Sequence, residues 1–345
     1  MTTPLTEEHG FREATLWSTP IRDLGLTISG TRLEPILADF QQELGAAGFE
    51  RLRPRFYLST EWGVPFATVA IAIPFYLARQ ELTAMHAARI GHVEGIDRAD
   101  ILRYLRHEMG HVVNYAYRLY DDPEWARLFG PIHQPYEDDY RPRPFSRKFV
   151  RHLPGWYAQK HPDEDWAETF AVWLTPGADW RAEYEHWPEA LAKLDYCDRA
   201  VRELLGRDPS VVDIELDEDV EELDYSVEQF YRDLSGSDQG LAVNLDAALQ
   251  AVFAGVVSRE SDEPPVLRQA AHLMARLEGD LLGNVYRWTG HFPERTRILV
   301  QHLARRAAAL DLAYPEADEA AVTVALTTLV TALAMNYVHS GTYLA

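Results

Sequence analysis

The sequence predicts an α+β fold for its N-terminal part, with a small mixed sheet beside several helices, followed by an all-helical C-terminal domain. Short runs of β-branched and aromatic residues alternate with helical patterns before residue 75, and a long helical pattern begins near residue 98. Residues 240–345 show only helical patterns. We therefore expect one domain over residues 1–210, an acidic linker over residues 211–239 and a second domain over residues 240–345.

The first elements are defined by apolar spacing and by glycine. Thr31–Ala46 has apolar residues at helical spacing and ends between Gly45 and Gly48, as helices often do. Arg55–Leu58 and Phe66–Ile73 are rich in β-branched and aromatic residues, which predicts two strands.

Two further helices are expected in this domain. Asp97 can cap a helix over Arg98–Tyr120, in which apolar residues recur at helical spacing. The segment Asp121–Pro154 is rich in proline, tyrosine and arginine, which predicts an ordered loop. The second helix should run from Pro162 to Leu174, because proline suits the first position of a helix.

Acidic residues then dominate the chain. Residues 211–230 carry nine aspartates and glutamates and no basic side chain, which predicts a linker or a solvated helix edge. Beyond them, four segments have helical patterns: Leu241–Val257, Pro265–Trp288, Pro293–Leu312 and Ala317–Tyr337. These segments predict the helical C-terminal domain.

Composition excludes several classes of function. The net charge of −21 argues against binding to nucleic acid, because such a field repels phosphates. A single cysteine, Cys197, cannot form an internal disulfide, and the N-terminus resembles no secretory signal, so we expect a cytoplasmic protein. The longest apolar run, Ala320–Met335, is shorter than a membrane span requires and predicts a buried helix.

The most specific motif is HExxH, formed here by His107-Glu108-Met109-Gly110-His111. Histidines four residues apart share a helix face, so both imidazoles can bind one zinc ion. Glu108 could then accept a proton from a zinc-bound water. A chance match is the alternative. It is disfavoured because Gly110 costs about 1 kcal/mol relative to alanine inside a helix, which indicates close approach of another element.

A catalytic zinc ion needs a third protein ligand. Glu164 and Glu168 lie one turn apart on the next predicted helix, and small alanines on the same face would let that helix pack against Gly110. A solvated stripe of glutamates is the alternative interpretation. Asp163 and Asp165 are the next candidate ligands.

The two motifs together resemble a known family. HEMGH, followed downstream by HPDEDWAETFAVWL, is similar to the zinc-binding metallopeptidases of the gluzincin class. The resemblance extends from about Asp23 to about Leu205 and implies a zincin-like fold with peptidase chemistry. It also implies that Glu164 is the third zinc ligand and that Glu168 is the partner of a ligand histidine. The helix dipole favours the same assignment, because Glu164 lies nearer the positive end.

The resemblance implies two further features. Lethal-factor-like gluzincins place a catalytic tyrosine at the position of Tyr157, where a hydroxyl could stabilise the oxyanion of the transition state. Because the chain has 17 tyrosines, a structural role is the alternative. In zincins the strand before the metal helix pairs with an extended substrate, and Ala67–Ile73 would be that strand. An ordinary buried strand is the alternative.

The sequence thus predicts a hydrolase with one zinc ion per chain and a peptide or protein as substrate. The expected ligands are His107, His111 and Glu164, and the expected catalytic residues are Glu108 and Tyr157. The residues that bind the substrate cannot be predicted, and the C-terminal helices could recruit a protein partner. Two alternatives stay open: a zinc-bound interaction module without catalysis, which the presence of Glu108 disfavours, and a zinc hydrolase of a non-peptide amide or ester.

Overall fold

The computed structural model describes residues 15–90, 92–136, 140, 142–143, 145–233, 245–254 and 266–343. These residues are mostly helical and include two small two-stranded sheets. The coarse prediction of a mixed α and β chain is therefore confirmed, although the sheets are smaller than expected.

The N-terminal part contains two strands, a helical segment over residues 15–18 and eight further helices within the described residues. The strands are β1 (Arg55–Ser59) and β2 (Ala70–Pro74), and the helices are α1 (Leu33–Ala46), α2 (Gln80–Ile90), α3 (Arg98–Tyr117), α4 (Pro123–Phe129), α5 (Pro162–Leu174), α6 (Trp180–Glu183), α7 (Pro188–Leu204) and α8 (Val227–Asp233). Short 3₁₀ turns occupy Ile21–Leu24, Phe75–Leu77, Leu119–Asp121 and Pro154–Gln159.

The C-terminal part is helical except for one short strand pair. Its elements are α9 (Asp246–Ala254), β3 (Leu267–Gln269), α10 (Ala270–Thr289), α11 (Pro293–Ala309), β4 (Ala313–Pro315), a 3₁₀ turn (Glu316–Asp318) and α12 (Glu319–Ser340). The expectation of an all-helical domain was wrong here, because β3 and β4 pair in antiparallel fashion. Three residues are too few to show the alternation by which a strand is recognised.

The N-terminal sheet is parallel rather than mixed. β1 and β2 pair in register from Arg55 opposite Ala70 to Ser59 opposite Pro74. One isolated antiparallel bridge, in which the Ala72 N–H donates to the Gly63 carbonyl at 2.8 Å, lies beside it. β2 is buried along its whole length.

The predicted start of α3 is confirmed, because a capping side chain defines it. The Asp97 side chain accepts the N–H of Asp100 at 2.9 Å, and α3 begins directly after it. The helix ends before residue 120, because Arg118 adopts a left-handed conformation with a φ of 52°. The loop expected over residues 121–154 contains α4, whose start is capped by Asp122.

Two large hydrophobic clusters organise the described residues, and two smaller ones lie in the N-terminal part. The first extends from Ile21 to Tyr231 and the second from Leu245 to Tyr343. We call the two parts the N-terminal unit and the helical unit. α12 packs one face on the second cluster and leaves Val324 67% exposed on the other, so the helix that was expected to be buried is buried along one face only. The segment Glu316–Ser340 is also long and apolar enough, by length and composition alone, to cross a membrane.

The acidic segment is not a free linker over its first twenty residues. The Val69 N–H donates to the Asp213 carbonyl at 2.8 Å, and the Val220 N–H donates to the Leu58 carbonyl at 3.1 Å. Apolar residues between the acidic ones are buried in the first cluster: Val220, Leu223, Val227 and Tyr231. This part therefore belongs to the N-terminal unit, and residues 234–244 lie outside the described residues.

The helical unit contacts the N-terminal unit beside the turn Pro154–Gln159. The ring of Tyr286 lies so close to Gly155 that a Cβ there would stand 2.8 Å from a ring carbon. The rings of Tyr140 and Phe292 meet edge to face, with centroids 6.1 Å apart. This contact brings the start of α11 to the cavity described below.

Candidate metal centre and active site

The site is built where α3 and α5 cross at close range. A Cβ on Gly110 would lie 2.6 Å from the Cα of Ala167, so no larger residue fits without a shift of backbone. The indole N–H of Trp166 donates to the Gly110 carbonyl at 2.8 Å across the same contact. The costly glycine in the sequence therefore has the role that was expected of it, which is to let the second helix approach.

The crossing brings His107, His111 and Glu164 into one buried cluster, and their potential ligand atoms all lie within 4.8 Å of one another. The Glu164 Oε2 atom lies 3.0 Å from His107 Nε2 and 3.3 Å from His111 Nε2. The two Nε2 atoms are 3.3 Å apart. Two imidazoles and one carboxylate are the donor set of a catalytic metal site that keeps one position open. This cluster can hold a metal ion.

Glu168 contacts the ring of His107 at the nitrogen that faces away from Glu164. Its Oε1 atom lies 2.9 Å from His107 Nδ1, on the opposite side of the ring from Glu164. The backbone N–H groups of His152 and Leu153 donate to its Oε2 atom at 3.0 and 2.9 Å, which fixes the carboxylate. Such a partner determines the tautomer of a ligand histidine and its orientation.

Asp163 has the same relation to His111, a role that sequence reasoning missed. Its Oδ2 atom lies 2.9 Å from His111 Nδ1, and Asn114 Nδ2 donates to its Oδ1 atom at 2.6 Å. The Tyr115 hydroxyl also donates to this carboxylate. The sequence offered Asp163 only as a reserve ligand, because helical spacing places it off the face shared by Glu164 and Glu168.

The charges of the cluster are strongly coupled. Burial lowers the pKa of His107, but hydrogen bonds with Glu164 and Glu168 outweigh it and raise the pKa to about 9. The same hydrogen bonds hold the pKa of Glu164 far below its usual range, although burial alone would raise it. A carboxylate that stays ionised in this environment favours a cation beside it, and a divalent metal ion meets that requirement.

Glu108 is buried next to the ligands and faces an open cavity. Burial raises its pKa to about 7, while the neighbouring His107 and His111 oppose the shift. The cavity has a volume of about 790 Å³, and its lining includes His107, Glu108, Tyr157 and Lys160. A carboxyl group that exchanges its proton near neutral pH suits general acid–base chemistry.

Tyr157 also lines this cavity, next to His107. Its ring stands edge to face with that of His107, at a centroid distance of 5.5 Å, and its hydroxyl lies 3.3 Å from Lys160 Nζ. Gly155 and Trp156, with φ values of 81° and 61°, turn the chain so that the tyrosine points inward. Lys160 was not singled out in the sequence, because no motif distinguishes it.

Tyr136 is a second tyrosine beside the cluster, and no motif distinguishes it in the sequence. Its ring stacks on His161 with centroids 3.8 Å apart, and its hydroxyl interacts with the Glu164 carboxylate. Although Tyr136 as a whole is 48% exposed, desolvation of its hydroxyl beside the cluster raises the hydroxyl pKa, and the charges of Glu164 and Asp163 raise it further. Tyr136 therefore stays a hydrogen-bond donor at neutral pH.

The strand expected to pair with a substrate is shorter and partly covered. β2 begins at Ala70, because Ala67 has a φ of 62° and interrupts the extended run. The Ala72 N–H is already bonded to Gly63. An extended peptide could not use that N–H unless the segment around Gly63 moved, so substrate pairing along Ala67–Ile73 remains a prediction.

Comparison of the chain with protein-family models, with curated proteins and with solved structures found no match. The resemblance to the gluzincin metallopeptidases therefore rests on the residues of the two motifs.

Proposed function

We propose that this chain is a zinc-dependent hydrolase that cleaves peptide bonds. One observation carries the proposal: two imidazoles and the Glu164 carboxylate converge in a buried cluster, and Glu108 stands next to them at the wall of an open cavity. A purely structural zinc site usually fills all four positions with protein ligands and needs no neighbouring base.

His107, His111 and Glu164 would hold the ion. When bound, zinc supplies a Lewis acid that polarises a carbonyl oxygen and makes water more acidic. Glu168 and Asp163 keep the two rings oriented through their Nδ1 atoms, so each Nε2 atom is directed at the centre of the cluster. Two histidines and a carboxylate are an established ligand set for catalytic zinc.

Glu108 acts as the general base in this proposal. Its carboxylate takes a proton from the attacking water and passes it to the leaving amine, a role that suits a pKa of about 7. Tyr157 donates a hydrogen bond to the developing oxyanion, because its hydroxyl stays protonated and its ring lies beside that of His107. Lys160, 3.3 Å from that hydroxyl, adds a positive charge on the same side.

The test is to incubate the zinc-loaded full chain with a mixed peptide library and to read new termini by mass spectrometry. Cleavage should stop when a chelator removes the ion. Glu108→Gln should retain zinc and lose about two to four orders of magnitude in rate, because glutamine has nearly the same shape but cannot take the proton.

Two outcomes would contradict the proposal. A Glu108→Gln protein with the wild-type rate excludes this base. A zinc-loaded wild-type protein that cleaves no peptide favours an interaction module, and parallel assays with ester and non-peptide amide substrates separate that result from a hydrolase of another class.

A further inference from the structure

The cavity in front of Glu108 is formed by both units. The N-terminal unit contributes Trp62, Glu94 and Tyr104, and the helical unit contributes Tyr286, Phe292 and Glu294. The side chains of α10 and α11 therefore stand within the space that a substrate must enter to reach Glu108. This position gives the helical unit direct contact with a bound ligand.

Negative charge dominates this cavity. Five carboxylates line it, from Glu61, Glu94, Glu108, Glu218 and Glu294, and Lys160 is the one lysine or arginine in its described lining. Lys160 lies beside Tyr157, with its Nζ atom 5.0 Å from the centre of that ring. Of the other nearby cations, Arg297 is paired with Glu278 at 3.2 Å.

Glu94 from the N-terminal unit and Glu294 from the helical unit both line the cavity. Among the described residues, the Glu94 backbone carbonyl accepts the Trp62 indole N–H at 3.1 Å, whereas the Glu94 carboxylate has no cation or hydrogen-bond donor beside it. Burial raises the pKa of Glu94 to about 7, and the largest further contribution comes from the charge of Glu294. Two neighbouring carboxylates that repel each other are stabilised by a cation that binds near both.

Two independent features of the same wall suit a cationic ligand. The Nε2 atom of His92 is buried and has no hydrogen-bond partner within the described part of the chain. Burial lowers the pKa of this ring, so it stays neutral and adds no positive charge that would repel a cationic ligand. Aromatic rings from both units, including Trp62 and Tyr286, also line the cavity, and aromatic faces attract ammonium and guanidinium groups.

We propose that the cavity binds a positively charged nitrogen group of the substrate between Glu94 and Glu294, so that the helical unit determines which substrates reach Glu108. The group is a lysine or arginine side chain or a free N-terminal amine. The inference rests on the proposed function for the position of the reacting bond. The binding of the cation follows from the cavity alone.

The test uses the zinc-loaded full chain and matched sets of peptides. In each set one lysine is replaced by norleucine, which keeps the apolar stem and removes the charge, and each peptide is made with a free and with an acetylated N-terminus. The wild-type chain should prefer one cationic form by at least about tenfold in kcat/KM, the expected effect of a charged hydrogen bond. A preference for lysine assigns the group to a side chain, and a preference for the free terminus assigns it to the α-amine.

The variants Glu94→Gln and Glu294→Gln should each remove most of this preference, because cleavage of the cationic peptide slows more than cleavage of the neutral one. Glu185→Gln changes an exposed glutamate outside the cavity lining and should leave the preference unchanged. Equal cleavage of charged and neutral peptides by the wild-type chain would overturn the inference, as would a preference that survives both substitutions.

Binding to the Glu108→Gln chain separates this inference from the proposed function. Fluorescence titration of the same peptides should show the charge preference without any cleavage. If this chain binds cationic peptides selectively while the wild type cleaves nothing, the proposed hydrolase fails and the cation site stands. If it binds neither form more tightly, the cation site fails whatever the wild type cleaves.

Discussion

At the scale of single residues, each ligand histidine has a carboxylate on both sides of its ring. His107 lies between Glu164 and Glu168, and His111 lies between Glu164 and Asp163. Glu164 touches both Nε2 atoms, whereas the other two carboxylates each touch one Nδ1 atom. The three acids therefore differ in the ring atoms that they contact, although all lie within one and a half turns of α5.

We expect this difference to appear in metal affinity. Glu164→Ala should lose tight zinc binding, because two protein ligands hold the ion poorly. Glu168→Ala and Asp163→Asn should still bind zinc, with about 10–100-fold lower affinity, because each removes only the partner of a ligand histidine. Competition against a graded series of chelators measures all three. A more severe loss in Glu168→Ala than in Glu164→Ala would exchange the two roles.

The sequence predicts the part of this site that depends on local helix periodicity and misses the part that depends on how the chain folds. HExxH and the two glutamates one turn apart follow from helix periodicity, which is local. The role of Asp163 depends on the angle at which α5 crosses α3, and the positions of Tyr136 and Lys160 depend on a loop without periodicity. Glu294 comes from a helix more than 180 residues after Glu108, so only the folded chain shows that it faces the cavity.

At the scale of elements, the close crossing of α3 and α5 determines the geometry of the cluster. Gly110 and Ala167 allow the approach. The sequence predicts this, because a glycine and small alanines let two helices pack closely. The strands were predicted less well. Ala67 bends the chain at a residue that looks extended by composition, and β3 and β4 are too short to leave a pattern.

Gly110→Ala should reveal how tightly these helices fit. Alanine gains about 1 kcal/mol of helix propensity. The new Cβ would lie 2.6 Å from backbone at Ala167, and overpacking of this kind typically costs about 1–3 kcal/mol. We expect lower stability in chemical denaturation and weaker zinc binding. Gly279→Ala is the matched control in α10, where no atom lies within 4 Å, and it should increase stability. A Gly110→Ala protein with unchanged zinc affinity would argue against the tight crossing.

At the scale of the whole molecule, the acidic segment belongs to the N-terminal unit. Its charge pattern indicated a linker, and the pattern was misleading because four apolar residues among the charges are buried. The Ile21 N–H donates to the Tyr225 carbonyl at 3.0 Å, so the start of the described chain and this segment lie side by side. Such long-range pairing has no signature in local composition.

Truncation distinguishes a boundary of the N-terminal unit after residue 233 from one at residue 210. A fragment of residues 1–233 keeps the whole first cluster, whereas a fragment of residues 1–210 loses Val220, Leu223, Val227 and Tyr231. Each fully buried apolar side chain contributes about 1.5–3 kcal/mol, so the loss approaches the total stability of a typical domain. The longer fragment should unfold cooperatively on heating and bind zinc, and the shorter one should do neither. Equal melting temperatures would restore the boundary at residue 210.

The most direct test of the whole account is the metal content of the purified full chain, measured by elemental analysis after zinc loading and dialysis. We expect about one zinc ion per wild-type chain and almost none in the His107→Ala/His111→Ala double variant, because the remaining carboxylate cannot hold the ion alone. Stoichiometric zinc in the double variant, or none in the wild type, would contradict the site on which the proposed chemistry depends.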